Sequence, residues 1–87
     1  MVKVKENELG IYAIYDKKGK KYDTPFFAFS DLFAKRRYVL MSMEEKSPLQ
    51  VWPEDFELAR VGFFNPVTGD ISEFHEVVAD GKDIKKQ

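Results

Sequence analysis

The chain has 87 residues, of which 44% are hydrophobic and 15% aromatic, and its formal net charge is −1. This composition predicts one folded domain with a small core and excludes a disordered chain. The absence of cysteine excludes disulfides, thiolate metal sites and thiol nucleophiles, and it fits a reducing compartment. No segment approaches the roughly 20 apolar residues of a membrane span, and the first residues lack the apolar run of a signal peptide. We therefore expect a soluble intracellular protein that does not contact a membrane.

The charges are unevenly divided between the two halves of the chain. Residues 1–43 contain nine Lys or Arg and five Asp or Glu, a net of +4. Residues 44–87 contain five Lys or Arg and ten Asp or Glu, a net of −5. Such a division gives a near-neutral protein a basic face, and it also favours self-association. The alternative is that a chain this short acquires the asymmetry by chance.

The first third of the chain is predicted to form a strand, a turn and a short extended segment. Residues 9–15 are rich in β-branched and aromatic side chains, which favour a strand. Gly19 marks a turn that is flanked by lysines. Thr24 precedes a proline and is therefore expected to be extended, and residues 25–28 form a short strand or an extended arm.

A helix is predicted from Ser30, a favourable N-cap, to about Glu45. Asp31 would then lie in the first turn, where the helix dipole favours an acid. Pro48 prevents the helix from continuing. Apolar side chains recur along this segment at the spacing of one helix face, and they are Leu32, Val39, Leu40 and Met43.

Two strands joined by a hairpin are predicted after the helix. Residues 47–53 contain two prolines and form a loop. Residues 55–64 are apolar on both faces, which predicts a central strand. Gly69 supplies a positive φ in the hairpin loop, and residues 71–78 return as the last strand.

The fold class that follows is α+β, with a small antiparallel sheet of three to four strands packed by one helix. Residues 1–87 form a single domain with an ordered core over about 9–79. The polar tails, 1–8 and 80–87, are expected to fray. So small a domain has a thin stability margin, which dimerisation would improve.

No catalytic residue, metal site or cofactor site can be identified in the sequence. His75 is the only histidine and stands in an alternating strand, where a structural or surface role is usual. The acids Glu54, Asp55 and Glu57 are better explained by solvation of a strand start than by acid–base catalysis. The glycines are scattered and form no phosphate-binding loop. We expect a protein that acts by binding and is not an enzyme.

The residues that indicate binding are basic and aromatic. Binding of a single-stranded nucleic acid requires cations that neutralise phosphates beside rings that stack on bases. The candidate phosphate contacts are Lys17, Lys18, Lys20, Lys21, Lys35, Arg36 and Arg37, and the candidate stacking residues are Tyr12, Tyr15, Tyr22 and Tyr38. The phenylalanines Phe26, Phe27 and Phe29 are expected to form the core instead. The lysines of the turn have an alternative role, which is to keep the turn soluble.

A set of short motifs occurs in a fixed order between residues 11 and 78. A strand at 11–16 is followed by a glycine turn and by Pro-Phe-Phe-Ala at 25–28. An amphipathic helix comes next, and then Pro-Glu-Asp-Phe-x-Leu at 53–58, Val61-Gly62-x-Phe64 and Thr68-Gly69. In order and spacing this set resembles the small nonstructural protein of the gokushovirus-type microviruses, which are single-stranded DNA phages. The resemblance implies a phage protein that handles DNA in the cytoplasm of an infected bacterium.

Two classes of function remain open. The first is a single-stranded DNA-binding accessory factor in phage replication or packaging. The second is a homodimeric module that binds a host or phage protein through exposed aromatics such as Trp52 and Phe64. The net charge of −1 argues against the first, because dedicated DNA-binding domains are usually basic.

Overall fold

The structure is a computed structural model that describes residues 4–5 and 8–84, and it is built on one antiparallel sheet. The strands are β1 (Leu9–Asp16), β2 (Lys21–Tyr22), β3 (Phe26–Ala28), β4 (Phe56–Phe64) and β5 (Ile71–Asp80), and the helices are α1 (Asp31–Ser42) and α2 (Pro48–Val51). The spatial order is β2–β1–β4–β5, and β3 pairs with β1 on the side away from β4. The predicted α+β class is confirmed, with the two-residue β2 as an additional strand.

Strand β4 lies in the interior of the sheet, as its two apolar faces predicted. It pairs with β1 on one side and with β5 on the other. Gly62 stands where β5 comes closest, since a Cβ at this position would collide with the carbonyl oxygen of Ser72. The turn between β4 and β5 contains Gly69 with a φ of 79°, as predicted.

Helix α1 begins where it was predicted and ends about three residues earlier. Ser30 is its N-cap, and the hydroxyl oxygen accepts a hydrogen bond from the Phe33 N–H at 3.4 Å. The helix ends at Ser42. Lys46 then adopts a φ of 63°, which turns the chain into α2.

The segment 47–53, predicted as a loop, contains a helix. Proline is well suited to the first position of a helix, because that position needs no N–H donor. Pro48 occupies this position in α2, and the Ser47 hydroxyl accepts from the Gln50 N–H at 3.1 Å. A 3₁₀ turn, Pro53–Asp55, leads into β4. Both prolines therefore start helical turns, and the prediction of a loop was wrong.

The core lies between one face of the sheet and the two helices. Its buried cluster comprises Tyr12, Ile14, Ala34, Tyr38, Leu49 and Leu58. Phe26 and Val78 are partly buried and pack against this cluster. In residues 4–5 and 8–84, neither helix has the length and apolar character needed to cross a membrane.

Helix α1 packs on the sheet through a different side from its apolar stripe. Its buried residues are Ala34, Tyr38 and Ser42. The stripe residues Leu32, Val39, Leu40 and Met43 are exposed instead. The small side chains at positions 34 and 42 let the helix approach the sheet, while the ring at 38 fills the space between them. The spacing of apolar residues therefore identified an apolar face of α1, but this face is not the one that packs on the sheet.

Residues 80–83, which were predicted to fray, have regular secondary structure. Strand β5 extends to Asp80, and a 3₁₀ turn follows at Gly81–Asp83. The Asp80 carboxylate accepts from the Lys82 N–H at 3.0 Å and pairs with Lys17 at 2.7 Å. Of the predicted tails, residues 1–3, 6–7 and 85–87 lie outside the described residues.

Candidate nucleic-acid interface

Two of the four tyrosines predicted to stack on bases lie in the core. Tyr12 and Tyr38 are 0% and 1% exposed. Burial raises the pKa of Tyr12 well above its usual value, and the Asp31 carboxylate, which accepts from its hydroxyl at 2.7 Å, raises it further. Burial likewise raises the pKa of Tyr38. Neither ring offers a face to a base, so we remove both from the candidate set.

A buried arginine fixes the start of α1 on the sheet. Arg60 of β4 has no exposed surface, and its guanidinium donates to both carboxylate oxygens of Asp31 at 2.8 Å. It also donates to the Glu76 carboxylate on β5 at 2.7 Å. One side chain therefore ties the first turn of α1 and the edge strand to the centre of the sheet.

An apolar groove lies between β3 and α1 and carries exposed phenylalanine rings. We call it the β3–α1 groove; its volume is about 420 Å³, and it is lined by Leu9, Phe27, Ala28, Phe29, Phe33 and Arg37. Phe27, Phe29 and Phe33 are 51%, 74% and 50% exposed. The rings of Phe29 and Phe33 meet edge to face, with centroids 6.2 Å apart. The groove therefore presents several ring faces to solvent.

The basic segment of α1 lies at this groove. The Arg36 guanidinium is 5.8 Å from the centre of the Phe33 ring, and that of Arg37 is 4.7 Å from the centre of the Phe26 ring. Lys35 is exposed as well, but it points away from Phe33 and Arg37, because residues two apart do not share a helix face. None of the three cations forms an ion pair within residues 4–5 and 8–84. Their charge is therefore available to an anionic ligand.

Only three of the four lysines in the turn are free to contact an anionic ligand. Lys17 pairs with Asp80 at 2.7 Å and donates to the Glu54 carbonyl at 3.2 Å; the bond to Asp80 raises the pKa of Lys17. The other three lysines are exposed: Lys18, Lys20 and Lys21. The turn follows β1, whereas the other predicted basic cluster is on α1, so the two clusters belong to separate elements.

Tyr15 and Tyr22 lie on the sheet face opposite α1, because side chains alternate along β1 and the core residues point to the helices. Their rings are 4.7 Å apart, and Tyr22 also meets His75 with centroids 6.3 Å apart. This face also carries two carboxylates, Glu57 opposite Tyr15 and Glu73 beside His75 at 3.1 Å. The acids would oppose a phosphate backbone there.

The two residues predicted for a protein interface are separated in the structure. Trp52 is 55% exposed at the junction of α2 with the 3₁₀ turn. Phe64 is partly buried, and its ring is 5.7 Å from that of Phe27 in an edge-to-face contact. Phe64 therefore packs against a groove residue, whereas the Trp52 ring contacts no other aromatic ring among the described residues.

The sequence reasoning missed the aromatic residues of the groove. Phe26 packs against the core as predicted, but Phe27 and Phe29 were assigned to the core and are exposed. The available signal was the four-residue spacing of Phe33 and Arg37, which places both side chains on one side of the helix, with Phe29 directly before the N-cap.

Among the described residues, no group of three or more His, Asp or Glu side chains could hold a metal ion. Comparison with curated proteins and with solved structures gives no significant match. A family model described as "Phage ORF5 protein" matches residues 9–84, a range that contains the whole sheet, both helices and every residue of the groove. The match extends over most of the 87 residues, and the chain therefore belongs to the phage ORF5 protein family.

Proposed function

We propose that this phage protein is a non-catalytic accessory factor that binds single-stranded DNA in the β3–α1 groove during phage replication or packaging. The observation that carries the proposal is the groove itself, where exposed phenylalanine rings lie beside two arginines that form no ion pair with any described residue. Membership of a phage family supports a phage role. The resemblance to the gokushovirus-type nonstructural protein supports single-stranded DNA as the ligand. On this proposal the protein acts in the cytoplasm of the infected bacterium.

Binding would combine stacking with charge neutralisation. Phe27, Phe29 and Phe33 offer ring faces to unpaired bases, and each base–ring stack contributes about 1–3 kcal/mol with little sequence preference. Arg36 and Arg37 already lie on rings, so their planar donor groups are held next to the stacking surface. A guanidinium in that position can take a phosphate with two hydrogen bonds.

The salt dependence of binding distinguishes the groove from the lysine turn. Arg36 and Arg37 can neutralise two phosphates, and a single strand contributes a slope of about −0.7 per phosphate to a plot of log affinity against log salt. The groove alone therefore predicts a slope of about −1.4. Participation of the exposed lysines at 18, 20 and 21 would steepen it to about −3.5.

Fluorescence anisotropy with a labelled 12-nucleotide deoxythymidine strand tests the proposal. The Phe29→Ala/Phe33→Ala variant should bind at least tenfold more weakly, because two stacking faces are lost. Val67→Ala/Ile71→Ala is the matched control, since both side chains are exposed apolar groups outside the groove. Groove and control variants with equal affinity would refute the groove as the site.

A charge series completes the test. Arg37→Gln should make the salt slope shallower by about 0.7, whereas Lys18→Ala/Lys20→Ala/Lys21→Ala should leave it unchanged. Loss of binding in the lysine variant alone would move the site to the turn. No binding by the wild-type protein at 20 mM salt would reject the function.

A second candidate function rests on the open sheet face. Tyr22 and His75 there are about half exposed and lie near Glu73. Aromatic rings among carboxylates favour a basic segment of a host or phage protein. Tyr22→Ala should abolish capture of such a protein, and Phe29→Ala/Phe33→Ala should not; the reverse pattern would contradict this candidate.

A further inference from the structure

Strand β5 forms one edge of the sheet, and no described element pairs with its outer side. In an edge strand, alternate backbone N–H and C=O groups point away from the sheet and can pair with another strand. The strand contains no proline or lysine, two residues that commonly prevent such pairing. Its apolar residues Ile71, Phe74 and Val77 are 70%, 41% and 54% exposed. We call residues 71–77 the β5 edge.

Side chains of the β5 edge alternate between the two faces of the sheet. Glu76 points to the face that packs against α1, where its carboxylate accepts from Arg60 at 2.7 Å. His75 points to the opposite face, where its Nε2 lies 3.1 Å from the Glu73 carboxylate. The α1 face therefore carries Ser72, Phe74 and Glu76, and the opposite face carries Ile71, Glu73, His75 and Val77.

The order of residues along the β5 edge is self-complementary about Phe74. A twofold axis perpendicular to the sheet joins two edge strands antiparallel and sets one residue directly opposite the same residue of the second copy. With the axis at Phe74, apolar side chains meet apolar side chains, an acid meets an imidazole, and a hydroxyl meets a carboxylate. The pairs, with one residue from each copy, are Phe74–Phe74, Glu73–His75, Ile71–Val77 and Ser72–Glu76.

Axes at other residues of the β5 edge give poorer pairs. With the axis at Glu73, the Glu73 carboxylates of the two copies are directly opposite, and like charges across a strand pair are destabilising. An axis at Glu76 has the same defect. With the axis at His75, the Phe74 ring faces the Glu76 carboxylate, and Glu73 faces Val77. The side chains therefore favour the axis at Phe74.

We infer that the β5 edge is a dimer interface, in which β5 pairs antiparallel with β5 of a second copy of this chain about a twofold axis at Phe74. The two sheets then join into one continuous sheet. On the face opposite α1, Glu73 and His75 of the two copies alternate around the axis, so each carboxylate has an imidazole on both sides. A twofold interface uses the same patch on both copies and closes at two.

This dimer leaves the β3–α1 groove open. Strand β3 pairs with β1 on the side away from β4, whereas β5 pairs with β4, so the groove and the β5 edge lie at opposite edges of the sheet. None of the residues that line the groove belongs to β5. The dimer therefore carries two grooves, one at each far end of the joined sheet.

Sedimentation velocity over 1–200 µM protein tests the association. The wild-type chain should shift from monomer to dimer. His75→Glu should dimerise at least tenfold more weakly, because four carboxylates would surround the axis, and Glu73→Lys/His75→Glu should restore dimerisation because opposite charges alternate again. Val67→Glu is the matched control, because Val67 is exposed in the β4–β5 turn outside the β5 edge, and it should dimerise as the wild type does. Circular dichroism of each variant checks that the fold is retained.

Cross-linking tests the position of the axis, since the chain contains no cysteine of its own. Phe74→Cys places the thiols of the two copies directly opposite each other, at a separation that a disulfide can span. Ser72→Cys places the two thiols four residues apart along the strands, a distance of about 13 Å. With air as the oxidant, Phe74→Cys should form a disulfide-linked dimer at least tenfold faster than Ser72→Cys.

Three outcomes would overturn the inference. The first is a wild-type monomer at every concentration, which would leave the β5 edge for a strand of another protein. The second is a dimer that His75→Glu leaves intact, and the third is cross-linking of Ser72→Cys as fast as that of Phe74→Cys. These readouts need no DNA, so the dimer and the proposed DNA-binding site are tested separately.

Discussion

Replacing Arg60 by methionine removes the charge that joins α1 to the sheet while keeping most of the side-chain volume. The guanidinium has no exposed surface and donates to Asp31 and Glu76 at 2.7–2.8 Å. Without it, two carboxylates would lie close together at the edge of the core with no cation between them. The start of α1, and with it Phe33 of the groove, would lose its attachment.

The expected magnitude follows from the exposure of the partners. Removing one member of a buried ion pair costs about 3–5 kcal/mol when the other charge stays buried. The side chains of Asp31 and Glu76 keep 21% and 27% exposure and can be partly rehydrated, so the lower value applies, about 3 kcal/mol. For a domain of this size that corresponds to a fall in Tm of roughly 12–24 °C.

Urea unfolding followed by circular dichroism measures the loss in free energy of unfolding. The variant Arg60→Met/Asp31→Asn/Glu76→Gln is the control, because it removes the uncompensated charges and should recover at least half of the loss. A loss below about 1 kcal/mol in Arg60→Met would refute the reasoning, since it would mean that the ion pairs do not anchor the helix. A triple variant that is less stable than Arg60→Met would also refute the reasoning.

Three further predictions concern the stability of the fold. Gly81→Ala should cost about 2 kcal/mol or more in urea unfolding, because the new Cβ would collide with the carbonyl oxygen of Pro53, and a cost under about 0.5 kcal/mol would contradict this packing. Burial opposes ionisation of Asp80, but the hydrogen bonds from Lys17 and from the Lys82 N–H, together with the charges of both lysines, outweigh it and lower the pKa of Asp80. The stabilisation is therefore present above the unfolded value near 3.9 and is lost as the pH falls through the folded value. The Tm difference between wild type and Asp80→Asn should therefore be present at pH 7 and vanish near pH 2, and a constant difference would contradict it. Burial raises the pKa of Tyr38, so stability should fall above about pH 10 and fall less in Tyr38→Phe; equal alkaline profiles would count against this.

The elements that the sequence predicted well depend on local chemistry. Ser30 caps α1 because its hydroxyl oxygen accepts a hydrogen bond from the Phe33 N–H, and this contact involves residues only three apart in the chain. Gly69 adopts the positive φ that its turn needs. The central position of β4 followed from apolar residues on both of its faces, a pattern that does not depend on which strands become its neighbours.

The features that the sequence did not reveal depend on contacts between distant residues. Tyr12 can be buried because its hydroxyl donates a hydrogen bond to Asp31, which is 19 residues away in the chain. Arg60 can be buried because its guanidinium donates to the carboxylates of Asp31 and Glu76. The apolar spacing in α1 identified a stripe, but which side faces the sheet was decided by the fit of Ala34 and Ser42. The sequence therefore predicted the wrong location for several aromatic residues: Tyr12 and Tyr38 are buried, and Phe29 is exposed.

The most direct test of single-stranded DNA binding in the β3–α1 groove is a titration of ¹⁵N-labelled protein with the deoxythymidine 12-mer, followed by amide chemical shifts. The account predicts that the largest shift changes map to residues 26–37, which contain Phe27, Phe29, Phe33 and the arginines. Changes confined to the lysine turn or to the sheet face of Tyr15 and Tyr22 would contradict it, as would a spectrum that does not change at low salt.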